Sequence, residues 1–208
     1  GLGKRVTALL TDMEQPLGRN VGNALEVAEC IETLKLRGPK DVESLSVELA
    51  AWMVHLAGAA PTLEAARGRV RDALSSGAGL DSLRDVIEAQ GGNPRVCDDL
   101  TLLPQAPERR VVRAERDGRV ARLAARAIGH AAMLLGAGRE AVTSVIDPGV
   151  GLVFHKKVGD PVAVGEPIVT LHVGPGSRTD AALARLSEAI GIASEAPIRG
   201  PLVLDILA

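Results

Sequence analysis

The sequence predicts an α/β part followed by an α+β part, on three observations. From Asn23 to Leu100 apolar residues recur at helical spacing, with one strand-like run, Thr7-Ala8-Leu9-Leu10, ahead of them. Thr101–Arg109, carrying Pro104 and Pro107, interrupts that pattern and marks the best internal boundary. Beyond it, short apolar runs alternate with glycine turns, which is how strands read. We therefore divide the chain into residues 1–103 and 104–208.

The elements follow in order. Thr7–Leu10 is the length of a buried strand, and Thr11–Gly22 is a polar loop punctuated by Pro16, Gly18, Asn20 and Gly22. Asn23 is a good helix N-cap, and Glu26, three residues on, completes a capping box. Ala24, Val27, Ala28, Ile31 and Leu34 then form one apolar face, and Gly38-Pro39 stops the helix. Asp41 caps a second helix with Leu45, Leu49, Trp52, Met53 and Leu56 inward. Pro61-Thr62 starts a third, with Ala66, Val70, Ala73 and Leu74 inward, and Leu80, Leu83, Val86 and Ile87 mark a fourth, ended by Gly91-Gly92. In the second part, Val111–Glu115 and Val120–Leu123 flank Asp117-Gly118, a strong two-residue hairpin signal. A helix over Arg126–Leu135 ends at Gly136-Ala137-Gly138, and strands follow at Gly149–Phe154 and Glu166–Val173. Thr179 caps a last helix, and Pro201–Leu207 is a last strand.

Composition narrows the function. A hydrophobic content of 46% with 24% charged residues is that of a soluble globular chain, and the net charge of −2 predicts no pull towards nucleic acid or an anionic membrane. Trp52 and Phe154 are the only aromatic residues, too few for a base-stacking surface. No apolar run approaches the roughly 20 residues of a membrane span. Cys30 and Cys97, each within a helical pattern, read as buried thiols in a reducing cytoplasm. His55, His130, His155 and His172 show no metal-ligand spacing, though His155 and His172 could face each other on paired strands. Arg109, Arg110, Arg113, Arg116, Arg119, Arg122 and Arg126, interleaved with Glu108, Glu115 and Asp117, read as a solvated face with ion pairs. Gly136–Arg139 follows a helix rather than preceding one, so it reads as a helix end and not a phosphate cradle.

Glu26, Glu29 and Glu32 form a stripe of carboxylates along the first helix. Two readings stand. Either Glu26 and Glu29 answer the positive helix end while Glu32 pairs with Lys35 or a distant Arg, or one of them holds a cation with loop carbonyls from Leu17 to Asn20.

The run Thr11-Asp12-Met13, Gln15-Pro16-Leu17-Gly18, Val21-Gly22-Asn23-Ala24-Leu25-Glu26-Val27 resembles the strand–loop–helix segment of the thymidine and pyrimidine-nucleoside phosphorylases. The resemblance continues through Gly38-Pro39, Gln90-Gly91-Gly92 and Gly149–Val173, so it covers essentially the whole chain. It implies that residues 1–103 are the C-terminal part of a mixed-sheet, phosphate-side α/β domain and residues 104–208 a C-terminal α+β domain with a barrel-sandwich-like element. It implies phosphorolysis of thymidine or uridine by inorganic phosphate, in a cytoplasmic homodimer. It also implies a monovalent cation, potassium, held by the carbonyls of Leu17 and Asn20 and by Glu29. Asn20 departs from the small apolar residue usual there, which matters little for a carbonyl ligand. The family's lysine–serine phosphate loop and arginine–serine–lysine base clamp have no counterpart here, so no catalytic residue is assigned. The chain opens at Gly1, close ahead of a core-like strand. The resemblance thus predicts a fragment whose partner is a missing N-terminal half, inactive alone.

Two alternatives are carried forward. An AMP-type phosphorylase shares this half of the molecule. VGDPVAVGEPIVTL also resembles the half-barrel repeat of biotinyl and lipoyl carrier domains, which would make Lys156 or Lys157 the modified lysine.

Overall fold

The computed structural model describes residues 3, 5–195 and 197–207; Gly1 lies outside them. The elements run β1 (Ala8–Thr11), β2 (Asn20–Val21), α1 (Asn23–Leu34), α2 (Lys40–Leu56), α3 (Leu63–Ser75) and α4 (Ala78–Ala89), with 3-10 turns at Pro94–Cys97 and Leu100–Leu102. They continue as β3 (Glu108–Arg113), β4 (Gly118–Leu123), α5 (Ala125–Leu135), β5 (Gly151–Phe154), β6 (Pro161–Val162), β7 (Pro167–Val173), α6 (Thr179–Ala189), β8 (Ile190–Ala193) and β9 (Val203–Leu207). This is a mixed α/β chain with antiparallel sheets.

Its contacts divide it into two compact units, one from Gly1–Asp12, Cys30–Asp99 and Gly200–Ala208, the other from Met13–Glu29 and Leu100–Arg199. These two units interleave along the sequence. The loop after β1 and the first turns of α1 are compact with the C-terminal half, and β9 with the helical half. Local composition carries no trace of this, because it arises from pairing between distant segments.

In the smaller unit β1 pairs antiparallel with β9, Ala8 opposite Leu207 and Leu9 opposite Ile206, and the two strands form a sheet of their own. The expectation of a core strand is not met: Leu10 is exposed, as are Leu204, Ile206 and Leu207 on its partner. A two-stranded ribbon offers no layer for its apolar alternation to bury against. Thr62 caps α3 as expected, its side chain accepting the Ala65 amide at 3.1 Å. On α2 the packed stripe is Val47 and Ala51, while Leu49 and Met53 face outward. The cause is small-residue packing: Ala51 shares a buried cluster with Ala60 and Ala66, edged by Val54, Leu63 and Val70. The cap of α2 is Pro39 rather than Asp41. Helix α1 ends before Gly38-Pro39, by a reversal in which Leu36 takes φ 60° and the Arg37 amide donates to the Glu32 carbonyl at 2.8 Å. Cys97 is buried but Cys30 is exposed, and neither is in a disulfide.

The larger unit holds two antiparallel sheets, ordered β2-β5-β7-β3 and β6-β4-β8. Leu152 on β5 lies opposite Leu171 on β7, and Val169 on β7 opposite Val112 on β3. Their inward residues join Ile128, Leu135, Ala182 and Leu186 from α5 and α6 in one core. Gly136, at φ 106°, ends α5 as expected. Asp117-Gly118 does not make a hairpin: β3 pairs with β7, while β4 pairs with β6 and β8 in the other sheet. Asp117 Oδ1 instead accepts the Val164 amide at 2.7 Å, and Gly118 lies so close to the Ala193 carbonyl that a Cβ would stand 2.4 Å from it. The dipeptide turns the chain from one sheet into the next. Thr179 begins α6 with Arg178 ahead of it, and no side-chain cap forms there.

Candidate functional site

The site is the loop from Gln15 to Gly22 with the first turns of α1. Strand β2 sets Asn20 opposite Val153 and Val21 opposite Leu152 on β5. At Gly22 and Gly151 the two backbones approach so closely that side chains are excluded. A Cβ on Gly22 would meet the Val150 carbonyl at 2.5 Å, and one on Gly151 the Val21 carbonyl at 2.3 Å; both glycines have positive φ. The helix that follows is capped one residue earlier than expected. Gly22 precedes α1, and Glu26 Oε1 reaches back to its amide at 2.9 Å. Asn23 is the first helical residue, and its side chain donates to the Ala137 carbonyl at 2.9 Å.

Each carboxylate of the stripe has a separate role. Glu32 takes a two-pronged contact from Arg37, both prongs 2.7 Å, with Lys35 at 3.7 Å. The Arg37 hydrogen bond, more than any other influence, holds its carboxyl below the usual range. Glu26 closes the helix start. Glu29 turns to the loop: its Oε1 accepts the backbone amides of Arg19 at 2.8 Å and Asn20 at 3.2 Å. Of the residues predicted as cation ligands, Asn20 and Glu29 are therefore brought together, through an amide. Leu17 lies between Pro16 and Gly18, whose carbonyls both accept from the Lys157 ammonium, the Gly18 contact at 2.6 Å.

Lys157 was not legible as part of this site. Neither was Arg19, whose guanidinium donates to the His155 carbonyl at 2.7 Å, nor Gln15, whose side chain accepts the Val158 amide at 3.3 Å. The partners are more than 130 residues apart in sequence; the one local cue is that Lys157 opens the turn its own amide makes to Asp160. The loop thus presents carbonyls to a cation and amides to an anion.

The remaining candidates fall elsewhere. Lys156 donates to the Pro161 carbonyl at 2.9 Å and pairs with Glu166 at 2.6 Å. With Lys157 on the loop carbonyls, neither lysine stands at an exposed tip as a carrier lysine must. His155 and His172 do not face each other: the His155 amide bonds Ile168, while His172 lies opposite Gly151. The arginines are less ion-paired than expected. Arg110 pairs with Glu108, but Arg113, Arg116, Arg119 and Arg122 each donate to a backbone carbonyl. A cavity of about 300 Å³ opens at the start of α1 between Asn23, Glu26, Met133 and Ala137. The Glu26 carboxylate in its wall makes it a poor phosphate cradle. Among the described residues no group of three or more His, Cys, Asp or Glu is placed to hold a metal ion. Among the described residues, too, no helix is long and apolar enough to cross a membrane.

Residues 119–193 match the model of the pyrimidine nucleoside phosphorylase C-terminal domain. In its C-terminal part, this chain is thus similar to the pyrimidine-nucleoside phosphorylases. The pyrimidine-nucleoside phosphorylase of Bacillus subtilis (strain 168) is 43% identical over 195 residues, 94% of this chain and 45% of the relative. That of Geobacillus stearothermophilus is 43% identical over 203 residues, covering 98% and 46%. That of Staphylococcus aureus (strain USA300) is 45% identical over 171 residues, covering 82% and 40%. The chain spans about half the length of the curated relatives it matches.

Proposed function

We propose that this chain is the C-terminal half of a pyrimidine-nucleoside phosphorylase, acting on thymidine, uridine or both. The observation that carries this is identity of 43% over 94% of the chain to a relative of that name, of which it spans 45%. Phosphate attacks C1′ of the nucleoside, the C1′–N bond breaks, and the pyrimidine leaves as its anion with sugar 1-phosphate as co-product. This half contributes no group to the reacting atoms; it contributes the Gln15–Gly22 loop and the scaffold behind it. The smaller unit's exposed Leu10, Met53 and Leu204 support a missing N-terminal half as its covering partner. The two antiparallel sheets of the larger unit are what we read as the barrel-sandwich-like element. Cys30 and Cys97, neither of them in a disulfide, fit a reducing, cytoplasmic setting, and the complete enzyme is read as a homodimer.

We read the loop as the site of a monovalent cation, on the observation that the Glu29 carboxylate turns to it and is oriented there by the Arg19 and Asn20 amides. Glu29 and the carbonyls of Leu17 and Asn20 would hold it. When bound, such an ion ties the loop by neutral and singly charged oxygens, without redox or acid–base chemistry.

The test is release of free pyrimidine in phosphate buffer. The full-length gene product should convert thymidine or uridine, and the 208-residue chain alone should not. Turnover by the isolated chain overturns the half-enzyme reading, and none by the full-length protein overturns the phosphorylase reading. In the full-length protein Glu29→Ala should lower activity about tenfold and abolish its potassium dependence. Unchanged potassium dependence removes the cation.

A further inference from the structure

The two sheets of the larger unit share no strand: β3 ends the first and β8 ends the second. Residues of both edges line a cavity of about 460 Å³, in the size range of small-molecule sites. Its floor is apolar. Ile168 of β7 is 1% exposed, and Val112 of β3 with Ile190 and Ile192 of β8 pack, half-buried, against the same core. Its rim is charged, with Arg113 and Arg116 against one acid, Glu115. We propose that this cavity binds a small organic anion, a monocarboxylate with an apolar body. The body would lie on the isoleucines and the carboxylate on the two guanidiniums.

Charge on the rim selects the ligand. Arg113 donates to the Gly165 carbonyl at 2.9 Å and Arg116 to the Ile192 carbonyl, and among the described residues no carboxylate pairs with either. A neutral carbonyl orients a guanidinium but leaves its charge uncompensated. A solvated arginine face would instead pair as Arg110 does with Glu108. Two guanidiniums against one carboxylate leave one surplus positive charge, which a single ligand carboxylate cancels. Arginine meets a carboxylate through two parallel N–H···O bonds, while an alkyl body gains by leaving water for the isoleucine floor. A bare inorganic anion leaves that floor wet, and an apolar alcohol leaves the guanidiniums unmatched. Glu115 opposes an anion, so the two kinds of rim residue carry opposite signs. The site lies within one unit, and its occupancy does not depend on the chemistry proposed above.

The experiment is a titration of the 208-residue chain with sodium octanoate below its micelle concentration, followed by the methyl resonances of Val112, Ile168, Ile190 and Ile192. These should shift and saturate, while the methyls of Leu63 and Val70 in the smaller unit stay still. Octan-1-ol, with the same body and no charge, should bind at least about threefold more weakly. Octylammonium should bind more weakly still, and acetate should leave the methyls unmoved. Arg116→Gln should weaken octanoate about threefold, Arg116→Lys should recover part of that, and Glu115→Gln should tighten it about twofold. Both positions are exposed, and Glu115→Gln keeps the test decisive if Arg116→Gln does not fold. No shift with octanoate overturns the proposal, as does octan-1-ol binding as tightly or acetate moving the same methyls. So does an affinity unchanged in both Arg116→Gln and Glu115→Gln. A shift that rises without saturating, or spreads to the α3 methyls, is detergent-like partition and overturns it as well. Methyl shifts that follow protein concentration with no ligand added would put a second copy in the groove, and the proposal fails there too.

Discussion

In the larger unit Phe154, Leu152, Leu171 and Ile168 belong to one cluster, each with at most 1% of its surface exposed. The smaller unit's own cluster is three alanines, Ala51, Ala60 and Ala66, while Leu49, Met53 and Val86 stand at the surface. Both are built from elements of ordinary length, so the difference lies in layering rather than in secondary structure. Two sheets and two helices give the larger unit apolar faces that bury each other. Helices with small contact residues and a two-stranded ribbon leave the smaller unit with faces that bury only partly.

The sharpest way to break that comparison is truncation at a large side chain in each unit. Phe154→Ala empties a fully packed site and should cost about 3–5 kcal/mol of folding stability. Met53→Ala, on a side chain 72% exposed, should cost less than about 0.5 kcal/mol. Urea unfolding of the two variants checks it. Equal costs would mean that Met53 is covered in solution and that the smaller unit is not the open one. Next in size is the backbone contact at the loop. Gly151→Ala puts a methyl group into the Val21 carbonyl and holds alanine at φ 153°, so it should cost about 2 kcal/mol or more. It should also shift the amide resonances of Val21 and Gly22 while leaving those of α3 unchanged.

What could be read beforehand was whatever is decided within a few residues. The Thr62 cap, the Gly136 helix end and the β5 and β7 strands came from local chemistry, and each is where that chemistry put it. Sheet membership was not of this kind. Asp117-Gly118 carries the same local signal whether the chain folds back on itself or crosses to another sheet, and only the distant partners Val162 and Ile192 decide. The α2 stripe failed for a related reason. Helical spacing marks where large apolar residues recur, but contact with α3 is made by Ala51, which periodicity cannot rank above Leu49. At the candidate site, Asn20 and Glu29 were named by the family resemblance. Local chemistry left open which of Glu26, Glu29 and Glu32 turns to the loop, and it is Glu29 that takes the Arg19 and Asn20 amides. Lys157 lies in the other half of the sequence, beside a glycine turn that suggested a different protein family altogether.

The smallest expected effects separate the units by pH. In the smaller unit Glu48 accepts both prongs of Arg67, at 2.8 and 2.9 Å, together with the Trp52 indole at 3.1 Å. The Arg67 hydrogen bond is the main reason its carboxyl is held below its ordinary 4.5. A carboxyl lowered in the folded state stabilises folding above its unfolded value, and that share disappears as pH falls through the lower, folded one. Since both side chains are partly solvated, the share is about 1 kcal/mol. In the larger unit His172 is held below its ordinary 6.5, mainly by burial and then by Arg109. The unfolded chain therefore takes up a proton before the folded one does, and stability declines as pH drops below 6.5, levelling once the folded imidazole is charged. Acidification should thus loosen the larger unit first, by a small step that His172→Gln removes, and the smaller unit only below 4.5, by a step that Glu48→Gln removes. Hydrogen exchange followed separately at α3 and β7 across that range distinguishes the two. A single transition shared by both would mean that the units unfold as one, despite their separate cores.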